Sequence, residues 1–152
     1  MFCALGNAQT ASSVTNLVVV VDGAQHPEQI PDDLAWRHFL LAVATHEQPT
    51  AFEQKRQHAI LAAVGLVDYD EKELAFKLGT MTTQLEAIQK SRGASGGTPA
   101  ALSELKAQED ELISATIARV RRVASAEGLS RLNRYITDIV KRNIKVYGLP
   151  TD

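Results

Sequence analysis

The sequence predicts an all-α protein in which two short helices pack on a long antiparallel helical hairpin, preceded by an extended N-terminal arm. Apolar residues recur at spacings of three, four and seven over most of the chain after residue 31, which is typical of amphipathic helices. Helix caps and glycine stops divide this region into segments. A glycine-rich break at 93–97 is short enough to turn one long helix back along the other.

Length and composition are those of one globular domain, with an arm over 1–31 and a helical domain over 32–148. The 152 residues are 45% hydrophobic and 22% charged, and the net charge of −2 gives no bulk attraction to nucleic acid or an acidic membrane. Cys3 is the only cysteine, which excludes an intramolecular disulfide and a cysteine-based metal site. No apolar run approaches the roughly 18–20 residues of a transmembrane segment.

The first eight residues resemble part of an export signal. Met1 to Leu5 is apolar, and Gly6-Asn7-Ala8 has the small-x-small form of a signal peptidase site. A complete signal peptide also has a basic start and a longer apolar core, so we interpret 1–8 as the end of a truncated leader. This predicts a periplasmic or secreted protein. The alternative is an ordinary N-terminal tail on a cytoplasmic protein.

The arm contains five consecutive apolar residues, Leu17 to Val21, followed by the turn signal Asp22-Gly23. Four β-branched residues favour an extended conformation. No second strand is evident, so the segment either lies across helices or pairs with another chain as an edge.

Two short helices follow. The first, about 32–47, is expected to bury Leu34, Trp36, Phe39, Leu40 and Val43. The second, about 51–64, begins with the capping box Thr50-Ala51-Phe52-Glu53 and ends at Gly65. Its predicted inward residues are Phe52, Ala59, Ile60, Ala63 and Val64.

The hairpin and a last helix complete the chain. One arm of the hairpin runs from Asp68 to about Lys90 and carries a coiled-coil-like seam of Leu74, Leu78, Met81, Leu85 and Ile88. The other begins at the cap Thr98-Pro99 and continues unbroken to Glu127, where Gly128 stops it. The last helix is predicted from Ser130 to Tyr147.

Catalytic and metal chemistry find little support in the sequence. His38 and His46 are two helical turns apart, about 12 Å, which is too far for one coordination shell even if His58 approached. The chain contains neither a Gly-x-Ser-x-Gly elbow nor a phosphate loop after a strand. We therefore expect a protein without catalytic residues, metal or cofactor.

The C-terminal region is basic. Residues 118–147 carry eight Lys and Arg against Glu127 and Asp138, a local charge of +6. These side chains either solvate the helices or form a contact surface for an anionic partner. The candidate binding residues are Arg119, Arg122, Arg131, Arg134, Lys141 and Arg142.

Two stretches resemble known proteins. The segment Leu17 to Gly23, with the following Pro27-Glu28-x-Ile30-Pro31-Asp32-x-x-Ala35-Trp36-x-x-Phe39, resembles the start of small exported helical bacterial proteins of unknown function. The hairpin from Val64-Gly65-Leu66 to Glu127-Gly128-Leu129-Ser130-Arg131-Leu132 is similar in layout to Spy/CpxP-type periplasmic proteins. The Leu-Thr-x-x-Gln signature of that group is absent, so no binding residue is carried over. The resemblance implies a secreted or periplasmic α-helical protein.

The sequence thus favours a non-catalytic exported helical protein, a scaffold or a binder of another protein or of a second copy of itself. The alternative is a cytoplasmic interaction protein, or one associated with nucleic acid, that uses the basic C-terminal face. The composition makes nucleic acid the less favoured partner.

Overall fold

The computed structural model describes residues 18–46, 48–94 and 97–148, and this part confirms the all-α architecture. The two longest helices pack against each other as an antiparallel hairpin, as predicted. The leader-like residues 1–8 lie outside the described ranges. In chain order the elements are β1 Val18–Asp22, α1 Asp32–Val43, α2 Ala51–Val64, α3 Asp68–Ala94, α4 Pro99–Val123, α5 Ala126–Tyr135 and β2 Lys145–Gly148.

The core lies between α1 and the hairpin. The α3 seam is confirmed for its first four members, which are buried, while Ile88 is half-buried. On α1, Trp36, Phe39, Leu40 and Val43 are buried as expected, and Leu34 is half-buried. Each large apolar side chain removed from water contributes roughly 1.5–3 kcal/mol before the entropy of ordering is subtracted.

Helix α2 has the predicted bounds but presents a different face to the core. Its capping box is formed, and Gly65 ends it with φ +70°. The predicted inward face is wrong, however, because Phe52 is 73% exposed, and Ala59 and Ala63 are exposed too. Val64 is buried as predicted and Ile60 is half-buried, and Leu61, which was not predicted to face inward, is buried as well.

The end of α1 explains this rotation of α2. Helix α1 stops at Val43 rather than at residue 47, and its last turn leaves backbone carbonyl groups without helical partners. Arg56 Nη2 donates to the Ala44 carbonyl at 3.1 Å, and Gln57 Nε2 donates to the Val43 carbonyl at 3.1 Å. Gln57 precedes the buried Leu61 and Val64 by four and seven residues, so its bond holds that side of α2 against α1 and leaves the alanine-rich side in solvent.

The single helix predicted from Thr98 to Glu127 is wrong, because α4 ends at Val123 and a new helix starts at Ala126. Between them, the buried Asp70 of α3 accepts hydrogen bonds from Ser125 N at 2.7 Å and Ser125 Oγ at 2.6 Å. Ser125 Oγ in turn accepts from Gly128 N at 3.0 Å and caps α5. A distant carboxylate therefore breaks the helical pattern.

Contrary to the prediction, Gly128 does not end a helix but lies in the first turn of α5. A Cβ at this position would be 2.3 Å from Asp70 Oδ2 and 2.5 Å from its Cγ. The missing side chain leaves room for the carboxylate, so a glycine is required by close approach rather than by φ. We call Asp70, Ser125 and Gly128 the capping junction.

The helix predicted from Ser130 to Tyr147 is also wrong beyond Tyr135. A π-helical turn over Ile136–Val140 and a 3-10 turn follow, and β2 then pairs antiparallel with β1, with a bulge between Val19 and Val21. The valine-rich segment is extended, as expected, and its partner lies in its own chain. Gly23 permits the turn after β1, since a Cβ there would lie 1.9 Å from the Lys141 carbonyl oxygen.

Candidate functional site

Two of the six candidate basic residues form ion pairs with other residues of the chain. Lys141 is buried, with 8% of its surface exposed, and its Nζ lies 2.6 Å from Asp32 Oδ1. Arg131 pairs with Glu127 at 2.5 Å and also donates to the carbonyl oxygen of Gly65. The other four candidates are exposed, without an ion-pair partner among the described residues: Arg119, Arg122, Arg134 and Arg142.

The Lys141–Asp32 pair connects the turn before β2 to the first turn of α1. The hydrogen bond from Lys141, and then its charge, hold the pKa of Asp32 below its ordinary value. Because Asp32 remains largely exposed, solvent screens the pair and its contribution to stability is small. Lys141 therefore has a structural role and is not free to bind a partner.

Sequence reasoning missed two arginines that tie α1 to α4. Arg37 bonds to Glu109 at 3.0 Å and to Asp110, while the guanidinium of Arg121 lies 5.0 Å from the ring centre of Trp36. Hydrogen bonds from Lys106 and from Arg37 keep the pKa of Asp110 below its ordinary value. These contacts span more than 70 residues of chain, so no local sequence signal reveals them.

A first candidate site is a groove of about 280 Å³ between the end of α2 and the α5 region. Ala63 and Val64 form one wall, and Arg134, Asp138 and Ile139 form part of the other. The last two belong to the π-helical turn, a local geometry that recurs at functional sites. We call this the α2 groove. Arg134 lines this groove, so this exposed candidate basic residue has an apolar surface beside it.

The exposed side of α2 leads into this groove. Phe52, Lys55, Ala59 and Ala63 share one helix face by their spacing, and all four are exposed. Phe52 is an aromatic side chain with 73% of its surface in water, and the alanines beside it allow close approach of another backbone. We call these four residues the outer face of α2.

A second candidate site is a pocket of about 240 Å³ where the end of α1, the first half of α2 and the second half of α3 meet. We call it the junction pocket. Its lining includes Ala44, His46, Glu53, Arg56, Thr82 and Leu85.

The carboxylate of Glu53 is fully engaged at the edge of the junction pocket. Its Oε1 lies 2.5 Å from His46 Nδ1, and its Oε2 accepts from Thr50 N at 2.9 Å and Thr50 Oγ1 at 2.8 Å. The bond from the Thr50 backbone, then those from the Thr50 hydroxyl and from His46, lower the pKa of Glu53 to about 2. This carboxylate is therefore held ionised and is not available as a proton donor at neutral pH.

Two residues that line the junction pocket each carry an unusual atom. Arg56 Nε and Thr82 Oγ1 are buried, yet neither has a hydrogen-bond partner within the described part of the chain. Nine-tenths of Thr82 is buried, its exposed fraction being 9%. Buried polar groups without a partner are uncommon in proteins and each calls for a physical reason.

The histidines do not converge. His38 and His58 are exposed, and His46 is paired with Glu53. Across 18–46, 48–94 and 97–148, no group of three or more His, Cys, Asp or Glu side chains is placed to hold a metal ion.

Comparisons with known proteins do not identify a relative. No protein-family model, no curated protein and no solved structure matches this chain. Among the described helices, none combines the length and apolar character that crossing a membrane requires.

Proposed function

We propose that this is a non-catalytic, exported helical protein that binds another protein through the outer face of α2 and the α2 groove. The observation that supports binding is the solvent exposure of Phe52, which stands on an alanine-rich helix face that no described part of the chain covers. Exposed aromatic residues of this kind are common anchors of protein–protein contacts. Support for export is limited to Gly6-Asn7-Ala8, outside the described residues, and to the resemblance to Spy/CpxP-type proteins.

Charge defines the partner that this surface would take. Lys55 is exposed beside Phe52, and Arg134 stands in the groove without an ion-pair partner among the described residues. Asp138 is the one carboxylate that lines the α2 groove itself. The surface therefore fits an amphipathic helix with leucine-like residues on one side and Asp or Glu at its edge, as in other helix-in-groove complexes.

Two designed 14-residue helical peptides test the binding surface, one of leucine and glutamate and one of leucine and lysine. We expect the acidic peptide to shift the amide resonances of α2 and of the π-helical turn in a saturable way. Its Kd should rise at least about tenfold in a variant with Phe52→Ser and Arg134→Gln, which is about 1.4 kcal/mol of binding free energy.

Phe76→Ser provides the matched control, because Phe76 is 67% exposed but lies on α3. Its affinity for the acidic peptide should equal that of the wild type. The proposal would be contradicted if the two peptides bound with equal affinity. It would also be contradicted if Phe76→Ser weakened binding of the acidic peptide as much as the double variant does. If the protein formed a concentration-dependent dimer that Phe52→Ser abolishes, the molecule that binds this surface would be a second copy of the chain and not an acidic partner. Export is tested separately, by locating the native protein and sequencing its N-terminus.

A further inference from the structure

We propose that the junction pocket binds a small uncharged carboxamide, whose polar atoms supply the missing partners of Arg56 Nε and Thr82 Oγ1. This inference does not depend on the proposed function, because the pocket and the α2 groove share no lining residue. It starts from the two buried atoms, both of which belong to residues that line one pocket.

The unpartnered hydroxyl of Thr82 is not a general property of threonine on these helices. Thr80, Thr83 and Ser91 of the same helix each donate to the carbonyl four residues before, at 3.0–3.2 Å. Thr116 of α4, 2% exposed, does the same to Leu112 at 2.9 Å. The backbone carbonyls of α3 therefore serve as acceptors for neighbouring hydroxyls, whereas the hydroxyl of Thr82 does not donate to one.

Arg56 shows the same incomplete pairing. One of its terminal nitrogens donates to the Ala44 carbonyl, which fixes the guanidinium against the end of α1. Its Nε has no acceptor among the residues that the structure describes, although it is a charged donor for which loss of a partner is costly. Glu53, which also lines the pocket, has both oxygens engaged with Thr50 and His46. The missing acceptor is therefore not supplied by this neighbouring carboxylate.

The charges in the pocket select against an anion. Two carboxylates line it, Glu53 and Glu86, beside two basic side chains, Arg56 and His46, and His46 pairs with Glu53. A carboxylate ligand would meet the carboxylate of Glu86 as well as the guanidinium of Arg56, and the repulsion offsets the attraction. An amide carbonyl accepts from Arg56 Nε and from the Thr82 hydroxyl without that repulsion, and its NH₂ can also donate to the oxygen of Thr82.

Size and lining define the rest of the ligand. The volume of about 240 Å³ lies below the range of pockets for drug-sized molecules, so the ligand is a small one. Leu41, Ala44 and Leu85 provide apolar lining beside the polar groups. A short branched alkyl group on the carboxamide matches this lining.

The probes are isobutyramide, isobutyrate and isobutylamine, which share one carbon skeleton and differ in charge. We expect isobutyramide to give saturable shifts in the resonances of Thr82 and of Arg56 Nε–H and to raise the melting temperature with its concentration. Isobutyrate and isobutylamine should bind at least about tenfold more weakly. Equal binding of the three probes would overturn the proposal. So would the absence of saturable shifts, which would mean that water alone satisfies the two atoms.

Matched threonine variants separate binding from folding. Thr82→Val keeps the shape and removes the hydroxyl, and it should weaken isobutyramide binding about tenfold without lowering the melting temperature of the free protein. Thr116→Val removes a buried hydroxyl outside the pocket and should leave the affinity unchanged. An equal loss of affinity in the two variants would contradict a direct role of Thr82.

Discussion

Helix α3 meets polar groups of other elements in two places that are built in opposite ways. At the capping junction, both oxygens of Asp70 accept hydrogen bonds from Ser125, and Gly128 leaves space for them. At the junction pocket, three turns further along α3, Thr82 Oγ1 and Arg56 Nε are buried without partners in 18–46, 48–94 and 97–148. Where every buried polar group has a hydrogen-bond partner, as at the capping junction, the path of the chain is fixed. Where partners are missing, as at the junction pocket, the fold is less stable and hydrogen-bond donors remain for a ligand.

The largest effect is expected from crowding the capping junction. Gly128→Ala would place a Cβ 2.3 Å from a carboxylate oxygen that two hydrogen bonds hold in place. Although alanine is the better helix former, we expect the free energy of unfolding in urea to fall by about 2–4 kcal/mol. A loss below about 0.5 kcal/mol would show that the carboxylate moves aside easily.

Gly79→Ala is the control for this substitution. Gly79 lies within α3, and a Cβ there would have no atom within 4 Å. The same chemical change should therefore stabilise the protein, by about 0.5–1 kcal/mol, through helix propensity alone. Opposite signs at the two glycines would isolate the effect of the close contact.

The next effect concerns the hydrogen bonds of the capping junction. Asp70→Ala would leave a part-buried backbone N–H of Ser125 without its acceptor, and we expect a loss of about 1–3 kcal/mol in urea denaturation. In a double-mutant cycle with Ser125→Ala, the coupling energy should be about 1–2 kcal/mol. Asp68→Ala, at the exposed start of α3, should cost less than about 1 kcal/mol. Additive effects of Asp70→Ala and Ser125→Ala would refute their coupling.

A third prediction compares the stability of two buried threonine variants. Thr82→Val removes an unpartnered hydroxyl and should raise the free energy of unfolding by about 1 kcal/mol. Thr116→Val removes a hydroxyl that donates to Leu112 and should lower it by about 1 kcal/mol. The measurement is urea denaturation without added ligand. Changes of the same sign would mean that the Thr82 hydroxyl is satisfied in solution.

The smallest effect is a dependence on pH at the edge of the junction pocket. The folded pKa of Glu53, about 2, lies below its ordinary value of 4.5. Its contribution to stability is therefore fully present above pH 4.5 and is lost as the pH falls toward 2. Wild type and Glu53→Gln should differ in urea denaturation at pH 6 and converge between pH 4.5 and pH 2. A difference that stays constant over this range would contradict the assignment.

Features of the fold that depend on neighbours in sequence could be predicted. The capping box at Thr50 and Glu53 and the stop at Gly65 define α2 to the residue, and the seam from Leu74 to Leu85 faces the core. Features that depend on distant residues could not. The pattern from Leu112 to Val123 continues smoothly in sequence, and the break after it arises because Asp70, 55 residues away, holds Ser125, which caps a new helix.

The candidate sites were less predictable than the fold. Periodicity placed Phe52 and Ala63 inside, although the bond from Gln57 to the end of α1 holds the side of Leu61 and Val64 against α1. The junction pocket combines residues of three elements, and nothing in the sequence indicates that the hydroxyl of Thr82 lacks an acceptor. Among the predicted basic residues, Arg134 lines a groove, whereas Lys141 is buried in an ion pair.

The small sheet has a consequence for how the protein is made. Val19 pairs with Tyr147, so the ribosome adds 128 residues after the first of them before its partner exists. At 5–20 residues per second this interval is about 6–25 s. During this interval, the valines of β1 form a strand without a partner, next to helices that can already fold. Nascent chains on one polysome are therefore exposed to pairing with each other through this strand, and closing the sheet is the last step that removes the hazard.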